Sequence, residues 1–441
     1  MSSPRISLSS MAALTLLLPF LSLLLPATLS TSRHTALPNP INTGFQATLK
    51  HVDSGGNFTR FELLQRAIKR ARKRVQRVHA KTSNVDIHAP IHPNEGDYLM
   101  DLSIGTPPLC YPAILDTGSD LTWTQCQPCR QCFDQPTPIF DPKNSPTFSK
   151  VDCSSNFCTE LPGSICNQGT CEYFYGYGDG SYTNGFLATE TFTFEDGPVP
   201  NLVFGCGFDN EGNFNGSAGL VGLGRGMLSL VSQLQEPKFS YCLPAFGDAS
   251  ATGKLLMGSQ ANSSHGSVKV TTPLIQNPSD PTFYYLSLQG ISVGETLIPI
   301  KDPIKPDGSG GMIIDSGTTL TYLNESAFDQ VKDEFSRQIN LTAVSGEEPG
   351  LEVCYSLPSG VESIMVPKVV FHFEGSADLE LPEENYLLTD VPSNTGCLVM
   401  HRSLGTSIFG NFQQQNMLVI YDLAEETISF EMGSVCDDDT L

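Results

Sequence analysis

Along most of this chain, apolar and polar residues alternate in short runs that end at a turn residue. ETFTFEDG from Glu190 and PKVVFHFEG from Pro367 alternate and stop at glycine, the signature of half-buried strands between turns. YLMDLSIGTPP from Tyr98 opens like a strand too, and marks where a folded domain begins. Helical spacing stands out in two segments. Phe328, Val331 and Phe335 share a face in ESAFDQVKDEF, as do Leu64, Ile68, Ala71, Val75 and Val78 in FELLQRAIKRARKRVQRVHA. With 39 Gly and 31 Pro in 441 residues, turns are too frequent for long helices to dominate, so a mainly β protein is expected.

The N-terminus breaks the alternation. Arg5 precedes an uncharged, Leu-rich run from Met11 to Ala27, followed by small and polar residues. That layout predicts a secretory signal peptide over about residues 1–30, and Pro19 and Pro26 argue against a stable membrane anchor. A secreted, apoplast-like location is expected ahead of a vacuolar one. Cysteine usage agrees. All 13 cysteines lie after residue 109, and seven fall between Cys126 and Cys171. In an oxidising compartment, CQPCRQC (Cys126, Cys129, Cys132) reads as disulfides rather than a zinc or iron–sulfur site, so no metal or cofactor is expected. The odd count leaves one thiol over.

Charge divides the chain. Residues 31–81 carry 11 Lys/Arg against 2 Asp/Glu, whereas residues 82–441 carry 13 against 45. A basic amphipathic helix could engage nucleic acid, an anionic membrane or calmodulin. After a signal peptide and before an acidic domain, it reads more simply as a removable prosegment, an intramolecular inhibitor held across that domain by charge. Nucleic-acid binding through residues 60–81 is the rival, and requires that the segment stay in the mature chain.

One sentence of sequence is written twice. AILDTGSDLTW (Ala113 to Trp123) returns 199 residues later as MIIDSGTTLTY (Met312 to Tyr322). Each copy reads as a strand running into a tight turn centred on an acid, Asp116 or Asp315. Packed face to face about a pseudo-twofold axis, the two carboxylates would share a water and a proton, with their apparent pKa values pushed apart. One then takes a proton from the water while the other polarises a carbonyl. Gly118 and Gly317 allow backbone N–H groups to approach the carboxylates. Ser119 and Thr318 supply hydroxyl donors, and Thr117 and Ser316 can bond across the axis.

On these motifs the chain resembles the pepsin-like aspartic proteases, and within them the nepenthesins, from about Gly96 to Cys436. GLVGLG (Gly219 to Gly224) and SIFGNF (Ser407 to Phe412) match the segments that underlie each active-site turn in that family. The resemblance implies a bilobal, pseudo-twofold β fold: an N-terminal lobe over 82–265, with a Cys-rich insert at 126–171, and a C-terminal lobe over 266–441. It also implies a monomeric acid endopeptidase, made as a zymogen, that takes substrate in extended conformation. YFYGYGDGS resembles the family's flap, with Tyr175 on the flap tyrosine, Tyr177 two residues away, and Trp123 as the indole that bonds it.

Carried over residue by residue, the nepenthesin pattern implies Cys126–Cys129, Cys132–Cys206, Cys153–Cys171, Cys158–Cys166, Cys242–Cys436 and Cys354–Cys397, with Cys110 left over. Sequons at Asn215, Asn262, Asn324 and Asn340 are candidate glycosylation sites, and Asn324 also reads as a helix N-cap. QQQN (Gln413 to Asn416) gains no chemistry from any of these patterns. The alternative to an enzyme is a pepsin-fold binding or inhibitor-type protein without proteolysis, in which a damaged dyad or flap is expected; both motifs are intact here.

Overall fold

In a computed structural model, the described residues are 45–68 and 97–432, apart from 55, 57, 179, 195–196, 213, 215, 249–250, 263–267, 346–349 and 360–363. The expected signal peptide, the basic residues 69–81, Asn215 and Cys436 lie outside them.

Strands dominate, as the alternation predicts. The largest sheet has 15 strands and runs from the Val268–Pro273 strand, through the two C-terminal strands, to the Ser164–Asn167 hairpin arm. The duplication seen in sequence is repeated in topology. The Leu109–Asp116 strand lies parallel to Gly219–Gly222, which also pairs antiparallel with Trp123–Gln125. In the other half, Met312–Ile314 lies parallel to Ser407–Phe409, which pairs antiparallel with Thr321–Asn324. Each acid-bearing strand therefore feeds its turn across the same three-strand arrangement.

The expected boundary near residue 265 is bridged by the sheet. Met417–Asp422 pairs with Lys238–Cys242, and Thr427–Met432 pairs with Val268–Pro273, so the chain's last strands join both sides. The helix Glu325–Gln338 forms where the spacing predicts it. It buries Ala327, Phe328, Val331 and Phe335, and Asn324 caps it by accepting the Ala327 N–H at 3.0 Å.

The basic segment is more than a charged helix. Phe45, Ala47, Leu49 and His51 alternate and are buried, and the Gln46–His51 strand sits inside the large sheet between Gly253–Met257 and Tyr98–Ile104. A helix follows at residues 60–68. Thr59 and Glu62 form a reciprocal capping box: the Thr59 N–H donates to Glu62 at 2.8 Å, and the Glu62 N–H donates to the Thr59 hydroxyl at 3.2 Å. Phe61, Leu64 and Ile68 are buried in a cluster with Phe246, Phe283, Tyr285 and Leu320. Arg60 adds one bond to the Phe246 carbonyl at 3.3 Å.

Candidate active site

Asp116 and Asp315 are both buried at strand ends, and their surroundings mirror each other. The Gly118 N–H donates to Asp116 Oδ1 at 2.9 Å, and the Ser119 hydroxyl donates to Oδ2 at 2.5 Å. The Gly317 N–H donates to Asp315 Oδ1 at 2.9 Å, and the Thr318 hydroxyl donates to Oδ2 at 2.6 Å. Such donors fix the orientation of each carboxyl group.

The turns hold each other directly. The Thr117 N–H donates to Ser316 Oγ at 3.0 Å, and the Ser316 N–H donates to Thr117 Oγ1 at 2.9 Å. Ser316 Oγ donates onward to the Leu115 carbonyl at 3.1 Å, and the Asn411 amide donates to the Ser316 carbonyl at 2.8 Å. Beneath each turn lies a glycine at an approach no side chain could enter. A Cβ on Gly222 would stand 2.3 Å from the Asp120 backbone, and one on Gly410 would stand 2.2 Å from the Leu320 carbonyl. That is why the two apolar segments of the sequence both end in glycine at this point.

The hairpin expected to form the flap pairs Thr170–Gly176 with Tyr182–Phe194. Here the structure corrects the sequence expectation. The Trp123 indole N–H donates to Tyr177 Oη at 2.6 Å, and not to Tyr175. Tyr175 Oη instead accepts the Asp120 N–H at 3.3 Å. Period-two alternation puts Tyr173, Tyr175 and Tyr177 on one face, so it cannot choose among them. The tip can. The Tyr177 N–H donates to the Ser181 carbonyl at 2.8 Å, so Tyr177 is the residue that enters the glycine-rich turn. Burial, then the neighbouring Tyr175 and the Asp116 charge, push the Tyr177 phenol well above its ordinary range and keep it protonated.

The Cys-rich insert also differs from expectation. The observed bridges are Cys126–Cys206, Cys129–Cys132, Cys153–Cys166 and Cys158–Cys171, replacing the implied Cys126–Cys129, Cys132–Cys206, Cys153–Cys171 and Cys158–Cys166. Strand pairing explains the first exchange. Trp123–Gln125 runs parallel to Gly197–Glu211 with Thr124 opposite Cys206, which brings Cys126 alongside it. Burial explains the second, since Cys158 and Cys171 are both interior while Cys166 is exposed. Cys354–Cys397 forms as expected. Cys242 is disulfide-bonded, and Cys110 is free and exposed.

Of the sequons, Asn340 and Asn262 are exposed. The Asn324 amide is engaged, donating to Asp302 at 2.9 Å while its oxygen caps the helix. Among the described residues, no group of three or more His, Cys, Asp or Glu is placed to hold a metal ion. No helix among them is long and apolar enough to cross a membrane.

Two family descriptions match, Xylanase inhibitor N-terminal over residues 98–259 and Xylanase inhibitor C-terminal over residues 283–432. The chain is 50% identical to aspartic proteinase nepenthesin-1 of Nepenthes gracilis over 434 residues, covering 96% of this chain and 98% of that one. It is 46% identical to nepenthesin-2 of the same plant, covering 94% and 96%. In fold it is similar to the crystal structure of edgp, with a TM-score of 0.63 at 19% identity, covering 89% of this chain and 95% of that one. Basic 7S globulin from soybean matches with a TM-score of 0.60 at 18% identity, covering 78% and 96%.

Proposed function

The chain belongs to the pepsin-like aspartic protease family, and we propose that it is a secreted acid endopeptidase in which Asp116 and Asp315 activate one shared water. Aspartic endopeptidase activity comes with the family; the residues, the zymogen and the location are the proposal. The observation that carries it is the mirrored set of donors on the two carboxylates, locked by the reciprocal Thr117–Ser316 bonds.

Two carboxylates sharing a site cannot both ionise easily, so at working acidity one is charged and the other protonated. The charged member takes a proton from the water as it attacks the scissile carbonyl. The protonated member hydrogen-bonds the carbonyl oxygen and stabilises the charge that develops there. The flap, with Tyr177 tethered to Trp123, closes over an extended peptide and excludes solvent. The Gln46–His51 strand in the sheet, and the helix at residues 60–68 in the apolar cluster, support the reading of a precursor held inactive until that segment is cut away.

The test is cleavage of a peptide library at acid pH by the converted protein and by Asp116→Asn and Asp315→Asn. Both variants should lose hydrolysis while keeping the wild-type circular dichroism, and a statine-type inhibitor should block the wild type. Near-normal turnover in either variant overturns the assignment. The matched inhibitor-type family descriptions favour a second reading, a binding protein on this fold. A wild type that cleaves nothing across the library would support it.

A further inference from the structure

Gln413, Gln414 and Gln415 are buried in succession after the Ser407–Phe409 strand, where ordinary surface glutamines would be solvated. Each must then have its amide satisfied by protein. Gln413 accepts the Thr321 N–H at 3.0 Å and donates to the Asn385 and Val399 carbonyls, each at 2.9 Å. Gln415 accepts the Phe246 N–H at 2.5 Å and donates to the Phe412 carbonyl at 2.9 Å. Those two splint neighbouring backbone.

Gln414 is directed at the Asp315 turn. Its amide donates to the Phe409 carbonyl at 2.8 Å, an oxygen that also accepts the N–H of Asp315 itself at 3.1 Å. The same amide nitrogen lies 3.5 Å from the Asp315 carbonyl. On its other side, the Gln414 oxygen accepts the Tyr241 hydroxyl. Tyr241 Oη lies 3.1 Å from Tyr421 Oη, and the Tyr421 hydroxyl meets the Thr117 side chain. Thr117 Oγ1 takes the Ser316 N–H, which returns to the residue after Asp315.

The links form a closed ring through Asp315, Ser316, Thr117, Tyr421, Tyr241 and Gln414. The equivalent position on the Asp116 side does not repeat the Gln414 link. Gln414 stands four residues after Gly410, and the same offset from Gly222 is Gly226. The Gly226 N–H donates to the Asp120 side chain at 2.8 Å rather than reaching the Asp116 turn.

We propose that Gln414, held by Tyr241 and Tyr421, is a positioning residue that fixes the Asp315 turn against the Thr117 turn of the opposite half. This rests on Asp116 and Asp315 being the catalytic pair. A buried side chain of this volume needs no amide for packing alone, and methionine would fill the space. The amide adds direction, tying the Asp315 strand end to hydroxyls on the far side of the dyad. Small displacements at a reacting group are costly to rate, so the loss is expected in turnover rather than in binding.

The experiment compares Gln414→Met, Gln414→Glu, Tyr241→Phe with Gln414→Met, and the control Asp315→Asn. Active sites are titrated with a tight statine-type inhibitor, so that kcat is counted per folded site. Gln414→Met should lower kcat by about 10- to 100-fold with KM within about twofold. Gln414→Glu, protonated by burial at working acidity, keeps a donor and an acceptor and should lose less. The double variant removes the Tyr241 hydroxyl that would lose its acceptor, and so reports even if Gln414→Met folds poorly. Unchanged kcat per site in both Met-bearing variants, equal losses in Met and Glu, or a change confined to KM overturns the inference. An active Asp315→Asn would instead overturn the dyad assignment beneath it.

Discussion

Trp123 and Tyr177, 54 residues apart, are joined by an indole N–H that donates to a phenol oxygen at 2.6 Å. Trp123 is fully buried on a short strand beside the Asp116 turn, and Tyr177 stands where the flap hairpin begins to turn. The bond therefore ties the hairpin to the sheet that carries Asp116. Its aromatic surroundings, with the Phe214 ring 5.0 Å from the indole, hold the donor at a fixed angle.

Tyr177→Phe removes this tether and keeps the ring. It should lower kcat/KM by about tenfold, the equivalent of one well-made hydrogen bond, with a small change in melting temperature. Tyr175→Phe loses only a 3.3 Å contact to the Asp120 N–H and should cost less. Steady-state kinetics on one peptide compares the two. A larger loss at Tyr175 than at Tyr177 would return the flap role to Tyr175.

How much of this was legible beforehand depended on whether the signal was local. Asp116 and Asp315 were readable because a turn motif was duplicated with its flanks, and Gly222 and Gly410 because a close approach demands glycine wherever it recurs. Strand content was readable from period two. The choice between Tyr175 and Tyr177 was not, since both lie on one face, and only the tip separates them. Cystine connectivity depends on which strands become neighbours, and nothing near Cys126 announces that Cys206 will lie beside it. The Gln46–His51 strand is short and adjoins a strongly basic run, so the alternation of FQATLKH is a weak signal beside the charge. Gln413 to Gln415 were illegible for a simpler reason: nothing in a polar run indicates burial.

Peptide mapping of the non-reduced protein tests the insert. Proteolysis should release linked peptides for Cys126–Cys206, Cys129–Cys132, Cys153–Cys166 and Cys158–Cys171. Finding Cys132 linked to Cys206, with Cys126 joined to Cys129, would restore the pattern implied by resemblance.

Three carboxyls bear on stability at low pH. Burial raises the carboxyls of Glu236, Asp302 and Glu383 above their ordinary range. A group with a raised folded pKa contributes its stability in full below its unfolded pKa. That contribution is lost as pH rises through the folded value. Glu236→Gln removes the charge altogether. In an Asp116→Asn background that prevents self-digestion, it should melt about 1–2 °C higher than its parent at pH 7 and equally at pH 3. A difference that is the same at both pH values would assign the effect to packing instead.

If the basic segment holds a precursor inactive, as proposed, two separable forces act on it, and one variant with one titration can tell them apart. Charge attraction between the basic segment and the acidic remainder weakens as carboxylates protonate, and also as salt screens them. The helix at residues 60–68 adds a contribution that neither pH nor salt removes, because Phe61, Leu64 and Ile68 are buried against Phe246, Phe283 and Tyr285. Leu64 is fully buried, so Leu64→Asp places a carboxylate in that cluster and should cost on the order of 3 kcal/mol at neutral pH. The variant precursor should convert faster than wild type at every pH, and its conversion near neutrality should be detectable without added salt. In the wild type, raised salt should speed conversion only modestly, since the apolar face and the Gln46–His51 strand remain docked. Conversion followed by N-terminal sequencing and peptide cleavage reads both arms. If Leu64→Asp converted at the wild-type rate while salt alone released full activity at pH 7, charge would be the whole of the restraint and the apolar contact incidental.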